Sequence, residues 1–382
     1  MPSGNILPIG IDYTPAYEQG GGIGRYVREL VAALAEFDGE TPYRLFVAGA
    51  GRKALPPPPG PNFTYAPCRV TPEWLARLWH RARLPIPVEL WTGPLRLFHA
   101  TDFTLPPVRS GTPAVLTVHD LSFVRVPGAA SPALKAYLDR VVPRSVRRAD
   151  HVLADSQATK DDLVTLYATP AQKVSVLLSG VHPRFKPTHD PAIRARYGIG
   201  EGMFVLAVGT VQPRKNYERL MRALVGLPEA LSDVQLVVAG GRGWLEGPIY
   251  AAVESLGLRE RVKFIGFAAD DDLPALYTAV RCLAFPSLYE GFGLPILEAM
   301  ACGTPVLTSN VSSLVEVAGD AAVLVDPLSE ESLGDGLVRT LSDEALRERL
   351  ISDGIRQAAS FTWARSARQL RDVYQRFARP AR

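Results

Sequence analysis

Short apolar runs rich in Val, Leu and Ile recur from one end of the chain to the other. Between most of them lie stretches whose apolar residues return every three or four positions. In the first half the runs fall at residues 6–11, 43–48, 63–66, 97–100, 114–118, 152–154 and 174–178; in the second half at 204–208, 234–239, 262–265, 282–285, 306–308 and 322–325. Their length and their lack of polar alternation predict strands buried on both faces, as in parallel sheets. Helical spacing is clearest at 23–37, where Ile23, Val27, Leu30, Val31 and Leu34 recur, and again at 133–148. A further helix is predicted from an N-cap at Ser156 to Tyr167, and a last amphipathic one over 361–378. Two series of strand–helix alternation predict an α/β protein of two doubly wound, Rossmann-like domains.

The boundary is predicted near 180–191, where VHPRFKPTHDP carries three prolines and little apolar pattern. The prolines at 56–59 read instead as a surface loop of the first domain, and no short internal period is present. A length of 382 residues fits two cores better than one. With 47% hydrophobic and 21% charged residues, the composition is that of a globular chain. No apolar run reaches the roughly 18 residues of a membrane span, and the N-terminus reads as a first strand, not as a secretory leader. The three cysteines, Cys68, Cys282 and Cys302, have no metal or CxxC spacing and suit free thiols in a reducing cytoplasm. Charge is uneven: residues 1–186 carry 21 Lys/Arg against 15 Asp/Glu, the remainder 21 against 24. A basic first half suits an anionic acceptor or membrane surface, or is simple scatter of arginine.

The densest chemistry follows the strand at 282–285, in LYEGFGLPILEAMACGTPV over 288–306. Gly291 and Gly293 sit in a turn, Pro295 opens a helix, and Gly303 and Pro305 end it. Unpaired backbone N–H groups at such a strand-to-helix turn can meet phosphate or sugar oxygens. Glu290 lies in the loop and Glu298 about one turn into the helix; a carboxylate can accept two hydrogen bonds from a vicinal diol. The plain alternative is an ordinary turn, with Glu298 favouring the first half of its helix. A second loop, VGTVQPRKN over 208–216, would bring Arg214 and Lys215 to a sheet's mouth, where a diphosphate needs positive charge. In the first domain, GGGIGRY over 20–26 opens a helix and could bind an anion there. It is not a dinucleotide fingerprint, because Gly22-x-Gly24-x-x-Val27 lacks the third glycine. The run 114–118 ends in His119-Asp120, at a strand's carboxyl end.

These four pieces, in this order, resemble the GT-B glycosyltransferases of the retaining family 4. Glu290 and Glu298 match that family's E-x7-E motif, and residues 291–295 and 299–306 match its surroundings. The likeness covers nearly the whole chain, most strongly 202–327 and least 52–112, and leans toward bacterial mannosyltransferases of surface-polysaccharide and lipid-linked glycan assembly. It implies a GT-B fold whose two domains, 1–185 and 186–361, face each other across a cleft and close about the linker, with the segment 362–382 crossing back to the first. It implies that Glu298 holds the ribose, and that Glu290 with the backbone of Gly291, Phe292, Gly293 and Leu294 holds the donor sugar. Arg214 and Lys215 would neutralise the diphosphate, helped by the amide of Gly22. His119 would contact the sugar near the reacting carbon, supported by Asp120. The chain departs from many relatives at Thr210, where they carry arginine.

No cofactor and no metal are expected: there is no DxD-type carboxylate pair beside a strand, and Asp270–Asp272 reads as a helix N-terminus. The donor would be GDP-mannose or another NDP-sugar, and the acceptor a glycan or lipid-linked molecule. Retention is implied by the resemblance alone, with same-face attack as the expected route and no covalent nucleophile to name. Residues 72–98 mix Trp74, Leu75, Leu78, Trp79, Leu84, Trp91 and Phe98 with Arg77, Arg81, Arg83 and Arg96. They suit either an anionic membrane interface or an ordinary core with solvated arginines. The expected location is therefore the cytoplasm, including the inner face of the membrane, with no nucleic-acid partner. Two other readings stay open: different GT-B chemistry such as a sugar-nucleotide epimerase, or a non-catalytic nucleotide-sugar-binding scaffold.

Overall fold

The computed structural model describes residues 6–378 and 380. The positions 379, 381 and 382 of the predicted 362–382 segment, and 1–5 of the first domain, lie outside them. The chain divides into two compact units. The first takes residues up to Leu121, Ala136–Gly180 and the segment from Thr362; the second takes Val181–Phe361 together with Ser122–Lys135.

The first unit is built on seven strands: β1 (Ile9–Asp12), β2 (Tyr43–Ala48), β3 (Phe63–Cys68), β4 (Leu97–Ala100), β5 (Ala114–Val118), β6 (His151–Ala154) and β7 (Val174–Val176). They pair in the order β3-β2-β1-β4-β5-β6-β7, and every pairing is parallel. Strands β4, β5 and β6 are buried along their whole length, which explains their unbroken apolar character. The helix Gly22–Phe37 buries Val27, Leu30, Val31 and Leu34 of the stripe predicted from the spacing, each contributing about 1.5–3 kcal/mol, and Tyr26 besides, while Ile23 is half-buried. The C-terminal helix Trp363–Phe377 belongs to this unit and buries Trp363, Ala367, Leu370 and Tyr374. Its Tyr374 hydroxyl lies 2.7 Å from His99 Nδ1, and its Ser366 hydroxyl donates to the Leu178 carbonyl at 2.6 Å.

The second unit carries β8 (Phe204–Val208), β9 (Gln235–Ala239), β10 (Val262–Gly266), β11 (Cys282–Phe285), β12 (Val306–Ser309) and β13 (Val323–Val325). Their order is β10-β9-β8-β11-β12-β13, again all parallel. Edge strand β13 is the one that alternates, burying Val323 and Val325 and exposing Leu324. In both sheets the order reverses once, between β1 and β4 and between β8 and β11. Such a reversal opens a crevice at the carboxyl ends of the two strands, because their connections leave in opposite directions. Both units are thus doubly wound α/β layers of the GT-B kind.

Candidate active site

In the second unit the crevice lies between the loops that follow β8 and β11. The β8 loop tightens into a 3-10 turn at Pro213–Lys215 and is pinned by Asn216, whose side-chain amide donates to the carbonyls of Pro286 (3.1 Å) and Pro327 (2.7 Å). The Leu288 amide donates to the Arg214 carbonyl at 2.9 Å, so the two loops are stitched at backbone level as well. The β11 loop is then fixed from β12's side: the Glu290 amide donates to Ser312 Oγ at 3.1 Å. The Ser313 hydroxyl donates to the carbonyls of Glu290 and Phe292, both at 2.8 Å. Gly293, at φ +117°, takes the left-handed turn that starts the helix Leu294–Ala301, a conformation a side chain resists.

This scaffold brings Arg214, Lys215 and Glu290 together. Lys215 Nζ lies 2.7 Å from Glu290 Oε1 and 4.5 Å above the Phe285 ring. Arg214 reaches Glu290 Oε2 at 2.5 Å and donates to the Tyr289 carbonyl at 2.6 Å. All three side chains are largely buried. Burial works against the Glu290 charge, but the two cations more than offset it and lower its carboxyl to about 2. Glu290 therefore stays ionised across the working pH range and serves as the internal counter-ion of the pair that the sequence assigned to phosphate. Glu298 stands apart on its helix, buried, with Tyr277 of the helix Leu273–Ala279 donating to its Oε2 at 2.9 Å. Gly291, Phe292 and Gly293 are buried around Glu290, and Leu294 is half-buried. Tyr277 and Asn216 complete the site. Asn216 closes the loop motif read from sequence, whereas no local signal marks Tyr277.

In the first unit, His119 and Asp120 follow β5. The parallel register places Val118 opposite Ala154, so the next residues, His119 and Asp155, emerge side by side. His119 Nδ1 lies 2.8 Å from Asp155 Oδ2, and Nε2 lies 2.9 Å from the Thr101 carbonyl at the end of β4. The carboxylate that holds the ring is Asp155, which the sequence did not single out; Asp120 acts on Asp155 through its charge. Burial opposes protonation of His119, but Asp155, Asp102 and the Thr101 carbonyl raise its pKa to about 9. Gly22 is the first residue of its helix, in a segment of exposed glycines. A Cβ at Gly22 would meet nothing within 4 Å, whereas one at Gly24 would lie 2.0 Å from the Gln19 carbonyl oxygen. Packing therefore demands glycine at 24; at 22 it leaves the backbone open to a ligand.

The aromatic–basic stretch resolves into two populations. Leu75, Trp79 and Phe98 are core, with Trp79 Nε1 donating to the Ile86 carbonyl at 2.8 Å. Trp74, Leu84 and Leu90 are exposed, and Arg77 stacks on Trp74 at 4.7 Å. Asp272 starts the helix Leu273–Ala279 as expected, and bonds Arg196 at 2.6 Å and the Tyr197 hydroxyl at 2.8 Å. Among the described residues no three His, Cys, Asp or Glu side chains cluster as metal ligands, and no helix is long and apolar enough to cross a membrane. All three cysteines are free and buried.

Comparison with known proteins matches a family model described as Glycosyltransferase Family 4 over residues 20–185, and one described as Glycosyl transferases group 1 over residues 190–357. The O-antigen chain mannosyltransferase B of Escherichia coli is 33% identical over 284 residues, covering 73% of this chain and 74% of that protein. A D-inositol 3-phosphate glycosyltransferase of Salinispora arenicola is 35% identical over 286 residues, covering 70% of this chain and 64% of that one, just under two thirds of its length. Among solved structures, a sucrose-phosphate synthase from Thermosynechococcus elongatus aligns with a TM-score of 0.76 at 23% identity, over 97% of this chain and 98% of its own.

Proposed function

The chain belongs to the family 4, or group 1, glycosyltransferases, and from that premise we propose that it transfers mannose from GDP-mannose to a glycan or lipid-linked acceptor with retention of anomeric configuration. The observation that carries the reading is the Arg214–Lys215–Glu290 cluster at the β8/β11 reversal. A nucleoside diphosphate arriving there competes with Glu290 for two cations already in place. As its phosphates take Arg214 and Lys215, the Glu290 carboxylate is released to accept hydroxyls of the donor sugar. Glu298 holds the ribose, and the Gly291–Leu294 backbone lines the sugar's path. The helix start at Gly22 is the proposed second anion contact.

Charge develops in two places as the donor breaks. The bond from the anomeric carbon to the β-phosphate oxygen lengthens, leaving negative charge on phosphate and positive charge on the sugar ring. Arg214 and Lys215 are preorganised for the first, so a divalent cation is not needed in this proposal. The acceptor oxygen then bonds the anomeric carbon on the same face, and its proton passes to the departing phosphate oxygen.

Mannose is favoured by the 33% identity to a mannosyltransferase. A relative named for inositol phosphate and the excess of Lys and Arg in residues 1–186 both favour an anionic acceptor or surface. Exposed Trp74 and Leu90 beside Arg77, Arg81 and Arg83 suit peripheral attachment to an anionic membrane, which would place the work at its inner face in polysaccharide or glycolipid synthesis. A panel of GDP- and UDP-sugars, with released nucleoside diphosphate and product anomer followed by NMR, tests the proposal. GDP-mannose should be preferred and the α-configuration kept. Inversion, or epimerised nucleotide-sugar as product, would overturn it.

A further inference from the structure

We infer that Asp155 is a positioning residue for the transfer reaction, one that keeps His119 protonated on both ring nitrogens so that the ring works as a hydrogen-bond donor and fixed cation and not as a base. This rests on the glycosyltransferase reading above and on the donor contact that the resemblance implies for His119. The argument begins with the two ring contacts. Nε2 faces a backbone carbonyl and Nδ1 faces a carboxylate oxygen, at 2.9 and 2.8 Å. A carbonyl has no proton to give, so Nε2 must carry one. The second proton of the pair then sits either on Nδ1 or on Asp155.

Burial, with the charges of Asp120 and Asp102, raises the Asp155 carboxyl, and the charge and hydrogen bond of His119 work against that rise. Asp155 follows β6 and immediately precedes Ser156, whose side chain caps the 11-residue helix Gln157–Tyr167 by accepting from the Thr159 amide at 3.1 Å. The positive end of that helix stabilises an anion at its N-terminus. The same helix holds His119 in register, since the Thr159 hydroxyl donates to the His119 carbonyl at 3.1 Å. The remaining titratable neighbours come from every element around the ring. Asp102 follows β4, and its charge favours the imidazolium; Asp120 follows β5 and acts on Asp155. Tyr26, from the helix Gly22–Phe37, lies edge-on at 5.1 Å and is kept neutral by burial. His99 on β4 is held neutral by burial, with its own nitrogens committed to Tyr374 and Thr117. The raised pKa of His119 agrees with this arrangement.

A ring with no lone pair cannot take the acceptor's proton. It can offer positive charge and N–H groups to the oxygens of a bound donor, exchanging the Thr101 carbonyl for one of them. The acceptor's proton must then leave by another route, as in the same-face mechanism above. His119 is thus the contact residue, and Asp155 acts through it.

The test is 15N NMR of histidine-labelled wild type, alongside pH profiles of kcat/KM for nucleoside diphosphate release by wild type, Asp155→Asn and Asp155→Glu. Both nitrogens of His119 should carry protons at neutral pH and lose one only well above the ordinary histidine range. In Asp155→Asn the alkaline limb of kcat/KM should move to lower pH by about two units, a loss of roughly tenfold at pH 8 that vanishes below about pH 6. Asp155→Glu should restore most of the wild-type profile. A bare ring nitrogen in wild type near pH 7, or an Asp155→Asn loss equal at every pH, would overturn the inference. The wild-type spectrum decides the protonation even if the variants do not fold. A doubly protonated ring in a chain that turns over no nucleotide-sugar would defeat the transferase reading while sustaining the ring assignment.

Discussion

Glu290 is the residue on which sequence and structure differ most usefully. Read from sequence it is a ligand for the donor sugar; in the fold it is the counter-ion of Arg214 and Lys215, its carboxyl lowered to about 2. It has no proton to give at working pH, and Glu298 is tied to Tyr277 instead. If Glu290 competes with phosphate, Glu290→Gln should bind GDP about five- to tenfold more tightly, or roughly 1–1.4 kcal/mol, while turnover falls at least about 100-fold. Calorimetry with GDP alone isolates the phosphate contribution from the sugar's, and unchanged or weaker GDP binding would count against the competition. A second residue sets a pH limit. Burial lowers the His99 pKa to about 3, so between there and the ordinary histidine value of about 6.5 the unfolded chain binds a proton that the folded chain refuses. Stability therefore falls as pH drops through that window, by about 2 kcal/mol from this residue at pH 5. His99→Gln should narrow the Tm difference between pH 7 and pH 5; an unchanged difference would mean that the ring protonates in the fold.

At the scale of elements, every strand appears within a few residues of its apolar run, because parallel strands covered on both faces have no polar alternation to blur them. The helix Gln157–Tyr167 begins at the Ser156 cap that its sequence advertises. What the sequence could not supply was adjacency. His119 and Asp155 lie 36 positions apart and meet only because β5 and β6 pair in register, and Lys215 and Glu290 meet 75 positions apart at the β8/β11 reversal. Motifs located both members of the second pair and only His119 of the first, and strand order joined them. The resemblance implies Asp120 as the support of His119; in the fold the carboxylate bonded to His119 Nδ1 is that of Asp155. The glycine loop before the helix Gly22–Phe37 gives an element-scale prediction. Gly24→Ala puts a Cβ 2.0 Å from a carbonyl oxygen and should cost roughly 2–4 kcal/mol of stability. Gly22→Ala meets no atom, so it should leave Tm unchanged and raise KM for the donor. Equal thermal losses in both would remove the case for a ligand at Gly22.

For the molecule as a whole, family membership and two parallel sheets make it a glycosyltransferase, and the donor, acceptor and place of work are carried by the proposal. Exposed Trp74, Leu84 and Leu90 among arginines predict co-sedimentation with anionic vesicles that fades as salt screens the charge. Equal recovery with neutral vesicles would remove the membrane from the account. The central claim is that Arg214 and Lys215 hold the diphosphate of a nucleotide-sugar without help from a metal. Release of GDP from GDP-mannose in the presence of EDTA, compared between wild type and Lys215→Ala, tests it most directly. Full activity in EDTA and a loss of at least about 100-fold in Lys215→Ala, in line with the removal of a preorganised charge, is the result expected. Activity that needs a divalent cation, or that survives in Lys215→Ala, would contradict it.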